Sequence, residues 1–306
     1  MKRHIGLLGC GNWGHHILRD LKRLGCEVTV VDPAEQGRAR AAEIGADRIL
    51  DSLGGLPEMD GFVVATPTAL HAETVAALLE SGRPIFVEKP FTNAPASARD
   101  LARRAGERIF VMHKWRYHPG VEALRDLARS RELGPVVSVR TFRLGWASTH
   151  VDVDASWILM PHDLSIALEI LGYVPDPVFA SAEYFNGELT GLLGILGDCP
   201  RFVAEVSARH ATPVRSISVG FRDGTAVLED SYSQCIQVRR ALSARAEPGD
   251  PLEARAIPVA MPLERELRAF LEHLEGGPPP KTCADEAVRI VEVISQLRRL
   301  ADVKGD

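Results

Sequence analysis

The sequence predicts an α/β protein: a doubly wound parallel sheet at the N-terminus, followed by an α+β domain with a mostly antiparallel sheet. Three observations carry this prediction. Residues 5–24 read as an apolar strand, Ile5-Gly6-Leu7-Leu8, then a glycine turn, Gly9-Cys10-Gly11-Asn12-Trp13-Gly14, then a helical stripe, Ile17, Leu18, Leu21 and Leu24. Strand-like runs at 4–9, 27–31, 47–50, 62–65, 84–87 and 108–111 alternate with helical patterns near 13–24, 34–44, 69–81 and 94–106, the rhythm of parallel strands with right-handed crossovers. After about residue 117 strands come in succession, at 135–144, 177–185, 200–208, 214–220, 224–230 and 234–240. They are joined by turns such as Arg222-Asp223-Gly224, as antiparallel neighbours are. The division falls at 1–117 and 118–306.

Each element has its local reason. In the glycine turn, Gly9 makes the bend, Gly11 keeps side-chain bulk from a pyrophosphate, and Gly14 lets helix and strand pack closely. The helix start offers N–H groups and partial positive charge to an anion. The second strand ends at Asp32, placed to accept hydrogen bonds from an adenosine ribose and to repel a 2′-phosphate. NAD is therefore expected over NADP, with Arg38 and Arg40 near enough to soften the preference. A turn aspartate before a helix is the plainer account of Asp32-Pro33. The fourth strand ends in Ala65-Thr66-Pro67-Thr68 with His71 beyond. Thr66 reaches for the cofactor and Pro67 offers it a flat apolar surface, or Thr68 simply caps a helix with His71 on its solvated first turn. The next strand ends in Glu88-Lys89-Pro90. A lysine beside an oxidised nicotinamide feels a like charge and moves toward a useful acid/base range. The Lys-Pro bond is a candidate for the cis form, and a surface ion pair is the alternative reading.

In the second half one helix is expected at about 161–171, with Pro161 and His162 in its first turn and Leu164, Ala167, Leu168 and Leu171 as its apolar stripe. There the helix dipole keeps an imidazole neutral. Another helix runs through Val121, Leu124, Leu127 and Ala128, and two more close the chain near 262–275 and 283–300. Trp146 and Trp157 suit sugar faces, but core packing is the favoured reading of both. Trp13 is expected to lend its backbone to the pyrophosphate and pack its ring nearby.

Composition bounds the partners. The 306 residues suffice for two cores, and the net charge of −5 argues against a nucleic-acid footprint. Five scattered cysteines without a C-x-x-C pair argue against a disulfide framework or a zinc site. No metal site is expected. With no signal peptide ahead of the first strand and no run long enough to cross a bilayer, the expected location is the cytoplasm.

These pieces together resemble the Gfo/Idh/MocA family, the glucose–fructose oxidoreductase and inositol dehydrogenase group. The resemblance rests on the glycine turn, Ala65-Thr66-Pro67-Thr68 with His71, and Glu88-Lys89-Pro90. Further on it rests on Trp115-Arg116-Tyr117-His118-Pro119, Leu133-Gly134-Pro135-Val136, and Pro161-His162-Asp163-Leu164-Ser165. It implies an N-terminal Rossmann domain, a C-terminal domain with a large open sheet, and a homodimer or homotetramer formed through that sheet. It also implies hydride transfer between NAD(P) and a sugar, nucleotide sugar or polyol. By position it makes Lys89 the catalytic lysine and His162 the catalytic histidine, and puts Arg116 near the nicotinamide. The cofactor set is then Gly9, Gly11, Asn12, Trp13, Gly14, Asp32, Thr66, Pro67, His71, Glu88, Lys89 and Arg116. Gly-Asn-Trp-Gly with the run from Ser156 to Ser165 is most similar to the branches near nucleotide-sugar dehydrogenases. One departure stands out. Many members carry an aspartate four residues before the histidine, where this chain has Ile158, with Asp152, Asp154 and Asp163 as possible substitutes. That departure keeps two alternatives open: a dinucleotide-binding regulator without turnover, and an NAD-dependent glycoside hydrolase.

Overall fold

The structure is a computed structural model that describes residues 2–146, 152–241, 243 and 245–304. The first half runs β1 (His4–Leu8), α1 (Gly14–Arg23), β2 (Glu27–Val31), α2 (Glu35–Ile44), β3 (Arg48–Leu50), β4 (Gly61–Val64), α3 (Thr68–Leu78), β5 (Ile85–Glu88), α4 (Pro95–Ala105), β6 (Ile109–Met112) and α5 (Pro119–Ser130). The second runs β7 (Val136–Trp146), α6 (Ala155–Leu171), β8 (Pro177–Phe185), β9 (Glu188–Leu196), β10 (Arg201–Ser207), β11 (Arg209–Phe221), β12 (Gly224–Leu228), β13 (Cys235–Arg240), β14 (Leu252–Ala256), α7 (Pro262–Leu274) and α8 (Ala284–Leu300).

Two compact units emerge: Met1–Lys114 with Leu263–Val291, and Trp115–Pro262 with Glu292–Asp306. The sequence division follows chain order, whereas the first unit also takes in α7 and the first part of α8 from near the C-terminus.

The first unit holds six parallel strands in the order β3-β2-β1-β4-β5-β6. Helices on both faces bury the sheet, so its strands are continuous apolar runs rather than alternating ones. Ile5, Leu7, Val28, Val30, Val63 and Phe86 pack with Ile17, Leu18 and Leu21 of α1 and with Leu267 and Phe270 of α7. The order reverses between β1 and β4. The carboxyl ends of strands at such a switch point are where open α/β sheets bind ligands.

The second unit is built on eight strands in the order β14-β13-β12-β11-β7-β10-β9-β8. Every pair is antiparallel except β7 with β10. On the face that carries α5 and α6, Val139, Thr141 and Arg143 alternate into the core, as do Phe202, Ala204 and Val206. The sequence pattern omits β9, whose Leu-Leu-Gly-Ile-Leu run does not alternate, and β14, an exposed edge strand of mixed polarity.

Two expectations need correction. The central helix begins at Ala155, not near 161. Asp154 caps it by accepting from the Ser156 amide at 3.0 Å. Pro161 lies inside the helix, and Trp157, Ile158 and Met160 ahead of it are buried. That burial holds the helix together although Pro161 donates no backbone bond. Trp157 is in the core as expected, but Trp146 is 63% exposed, beside the Arg209 guanidinium at 4.6 Å.

Candidate active site

The glycine turn follows β1, and each glycine has a measurable reason. Gly9 has φ +91°, and a Cβ there would stand 2.6 Å from the Ala65 carbonyl oxygen. A Cβ on Gly14 would stand 2.1 Å from the Gly9 carbonyl oxygen. Above Gly11 nothing lies within 4 Å of that position, so a ligand can meet bare backbone. No side chain caps α1. The His15 and His16 amides donate to the Gly11 and Trp13 carbonyl oxygens, at 3.3 and 2.9 Å, so an anion would meet the amides of the glycine turn itself and the positive end of the helix.

Asp32, at the end of β2, is buried and ties this turn down. One carboxylate oxygen accepts from the Cys10 amide at 2.7 Å and the other from the Ala34 amide at 2.9 Å. A carboxylate has about four acceptor positions, so capacity remains for a ribose hydroxyl. Beside it, the Cys10 thiol is pushed up to about 11, by burial first and by the Asp32 charge second, and so stays protonated. Arg38 donates to the carbonyl oxygens of Asp32 and Pro33, at 3.0 and 2.7 Å. Arg40 instead reaches back over the turn to Asn12 Oδ1 at 3.2 Å. At the end of β4, the Thr66 hydroxyl oxygen is buried with no partner among the described residues, and Pro67 is exposed. An orphan hydroxyl, open space over Gly11 and a carboxylate beside the turn fit a dinucleotide. The backbone of the glycine turn at Gly11 would hold its pyrophosphate, Asp32 its ribose, and Thr66 would reach it from β4.

At the end of β5, Glu88 is buried and Lys89 is half-buried. Glu88 accepts from the Trp13 indole N–H and, at 3.0 Å, from the Lys89 amide. Burial raises its carboxyl above the usual range, against the opposing pull of Lys89, Lys114, the indole and the amide. The Trp13 ring therefore has a polar anchor as well as packing, with the Lys114 ammonium 4.3 Å from its centroid. The Lys89-Pro90 bond is cis. His71 is not on a solvated turn. It is buried, with its two ring nitrogens 2.8 Å from the Pro90 carbonyl oxygen and 3.0 Å from that of Thr66. It braces the ends of two strands.

The second unit presents His162 in mid-helix, half-buried. The dipole argument for a first-turn histidine therefore does not apply, because that effect fades beyond the first turn. Ile158 is buried one turn earlier. Asp163 forms a buried pair with Arg143, 2.7 Å from Nε, and that guanidinium lies 4.5 Å from the Trp115 centroid. Asp154 is held by the helix cap and by Arg298 at 2.6 Å. Arg116 lies in this unit and pairs with Glu169 at 3.0 Å, and Glu169 also accepts from Arg125 at 2.6 Å.

One buried group escapes motif reasoning altogether: Glu266 of α7, fully buried in the first unit. Its signal in the sequence is a carboxyl lying on the apolar stripe of Leu263, Leu267 and Phe270.

Residues 3–113 match the sequence profile of an oxidoreductase family, GFO_IDH_MocA, with an NAD-binding Rossmann fold. An uncharacterised oxidoreductase from Streptococcus pneumoniae is 30% identical over 158 residues, which span 50% of this chain and 42% of that protein. A D-xylose 1-dehydrogenase (NADP(+)) from Haloferax volcanii is 25% identical over 325 residues, covering 97% of each. Among solved structures, UDP-N-acetylglucosamine 3-dehydrogenase from Acidithiobacillus ferrooxidans superposes with a TM-score of 0.84 at 22% identity, over 99% of this chain and 98% of that one. The last likeness speaks to the fold.

Proposed function

We propose that this chain, whose residues 3–113 match the GFO_IDH_MocA oxidoreductase family, transfers a hydride between NAD and the CH–OH carbon of a sugar, nucleotide sugar or polyol. The observation that carries the reading is the placing of Lys89. It follows β5 at the same sheet edge as Thr66 after β4 and the glycine turn after β1. NAD, when bound, takes up or supplies the hydride. In the oxidising direction the hydroxyl proton passes to the neutral Lys89 amine, and in reduction the ammonium returns it. Asp32 favours NAD over NADP. His162, on α6 of the second unit, is proposed as the assisting catalytic group from its place in the family pattern.

The test is direct. Protein, NAD and a panel of sugars and polyols are mixed and the absorbance of reduced nicotinamide is followed. NADH production supports the reading. Sugar cleavage without net NADH indicates a hydrolase, and NAD binding with neither indicates a regulator; both contradict it. One observation favours the regulator: Asp163 and Asp154 are engaged by Arg143 and Arg298, so neither stands in for the aspartate that Ile158 replaces.

Self-association is part of the same reading. Val137 and Phe179 are exposed on the sheet of the second unit, with Tyr184 and Phe185 nearby on the edge strand. A second copy covering them gives a homodimer or homotetramer. Light scattering after gel filtration tests this, and Phe179→Glu is expected to shift the mass to that of one chain. The proposed location is the cytoplasm, whose reducing conditions suit the unpaired thiols of Cys10 and Cys26.

A further inference from the structure

The buried carboxyl of Glu266 lies level with Glu88. Phe86 of β5 and Phe270 of α7 stack with centroids 5.0 Å apart. A Cβ on Gly61, at the start of β4, would touch both Phe270 and Leu274 at 3.1 Å. The C-terminal end of α7 thus sits at the amino ends of the strands, and the helix runs antiparallel to them. From Phe86 to Glu88 is two strand residues on one face, about 7 Å toward the carboxyl edge. From Phe270 back to Glu266 is about one helical turn on one face, roughly 6 Å in the same direction. The stacked rings therefore set the two carboxyls side by side.

Their surroundings differ. Glu88 accepts the Trp13 indole and the Lys89 amide, with the charges of Lys89 and Lys114 acting on it. Glu266 is 0% exposed, and neither of its carboxyl oxygens meets a donor among the described residues. The charges that reach it are those of Glu88, which opposes its ionisation, and Lys114. A buried carboxylate with no donor is very costly, and two neighbouring buried carboxyls do not both ionise. The proton therefore belongs on Glu266 and the negative charge on Glu88.

We propose that Glu266 is a positioning residue, a neutral carboxylic acid whose O–H is donated to the Glu88 carboxylate, so that a single negative charge stands beneath Trp13 and Lys89. Glu88 then remains the acceptor that holds the glycine-turn indole to the end of β5. The consequence for NAD rests on the hydride-transfer reading; the protonation and the indole contact do not.

The experiment uses the full chain without substrate. Infrared difference spectra of wild type against Glu266→Gln are expected to show a protonated-carboxyl C=O band that the variant loses. The Trp13 indole N–H resonance, assigned with Trp13→Phe, is expected to stay in place in Glu266→Gln, whose amide still donates, and to move in Glu266→Leu. NAD affinity is expected to follow the resonance, near wild type in the first and about tenfold weaker in the second, the scale of one lost bond to a charged group. A wild type without the band, a band that survives Glu266→Gln, or an unmoved resonance in folded Glu266→Leu overturns the proposal. Should Glu266→Leu fail to fold, the infrared comparison decides alone. Failure to make NADH from any sugar would count against the functional reading and leave these spectra unaffected.

Discussion

The rim of the first unit leaves polar capacity open, whereas the charged groups around the central helix of the second are matched to one another. At the rim, the Thr66 hydroxyl has no partner among the described residues and the space above Gly11 is open. Around α6, charges are matched within the protein: Arg143 with Asp163, Arg116 and Arg125 with Glu169, Arg298 with Asp154. A surface built to receive a ligand keeps its hydrogen-bonding capacity open, and a scaffold closes it. The difference assigns cofactor binding to the first unit and leaves His162 on a braced frame.

Four variants test that contrast. Lys89→Ala is expected to lower turnover by about 10²–10⁴, the range of a lost acid/base group, while NAD affinity stays nearly intact by calorimetry. Surviving turnover would remove Lys89 from the chemistry. Arg143→Ala leaves the Asp163 charge buried and unpaired, and should cost about 3–5 kcal/mol of stability in urea unfolding with NAD affinity unchanged. A loss of NAD affinity in the folded variant would break the contrast between the units. Asp32→Ala is expected to weaken NAD by about 1–3 kcal/mol, as loss of hydrogen bonds to a charged group does, and to narrow its margin over NADP. An unchanged NAD/NADP ratio would take Asp32 out of the ribose site.

The smallest effect is expected at Glu132, whose hydrogen bond with Arg255, together with the Arg255 and Arg240 charges, holds its carboxyl down at about 2. A carboxyl lowered in the folded state contributes stability that is full above its ordinary value of 4.5 and is lost as pH falls toward about 2. Acid unfolding of Glu132→Gln should lack that limb. The pair is well exposed, so solvent screening keeps the difference modest.

What the sequence discloses follows the same contrast. The roles of Gly9, Gly11 and Gly14 are local, set by backbone within one strand-turn-helix, and the motif states them. The ends of β4 and β5 are legible for the same reason, since a charged pair closing a buried strand is conspicuous. The start of α6 is not. Pro161 advertises a first turn, and only tertiary burial of Trp157, Ile158 and Met160 extends the helix back to the Asp154 cap. His71 likewise looks solvated until the fold brings Pro90 to it. Glu266 is separated from Glu88 by most of the chain, and no spacing in the sequence joins them.

The central claim is that NAD lies along the rim of the first unit with its reactive ring at Lys89. Crystals grown with NAD test it most directly. The account predicts the pyrophosphate over Gly11, the adenosine ribose on Asp32, and the nicotinamide within hydrogen-bonding reach of the Lys89 ammonium. A dinucleotide bound elsewhere, or one on the rim with Lys89 turned to solvent, would contradict it.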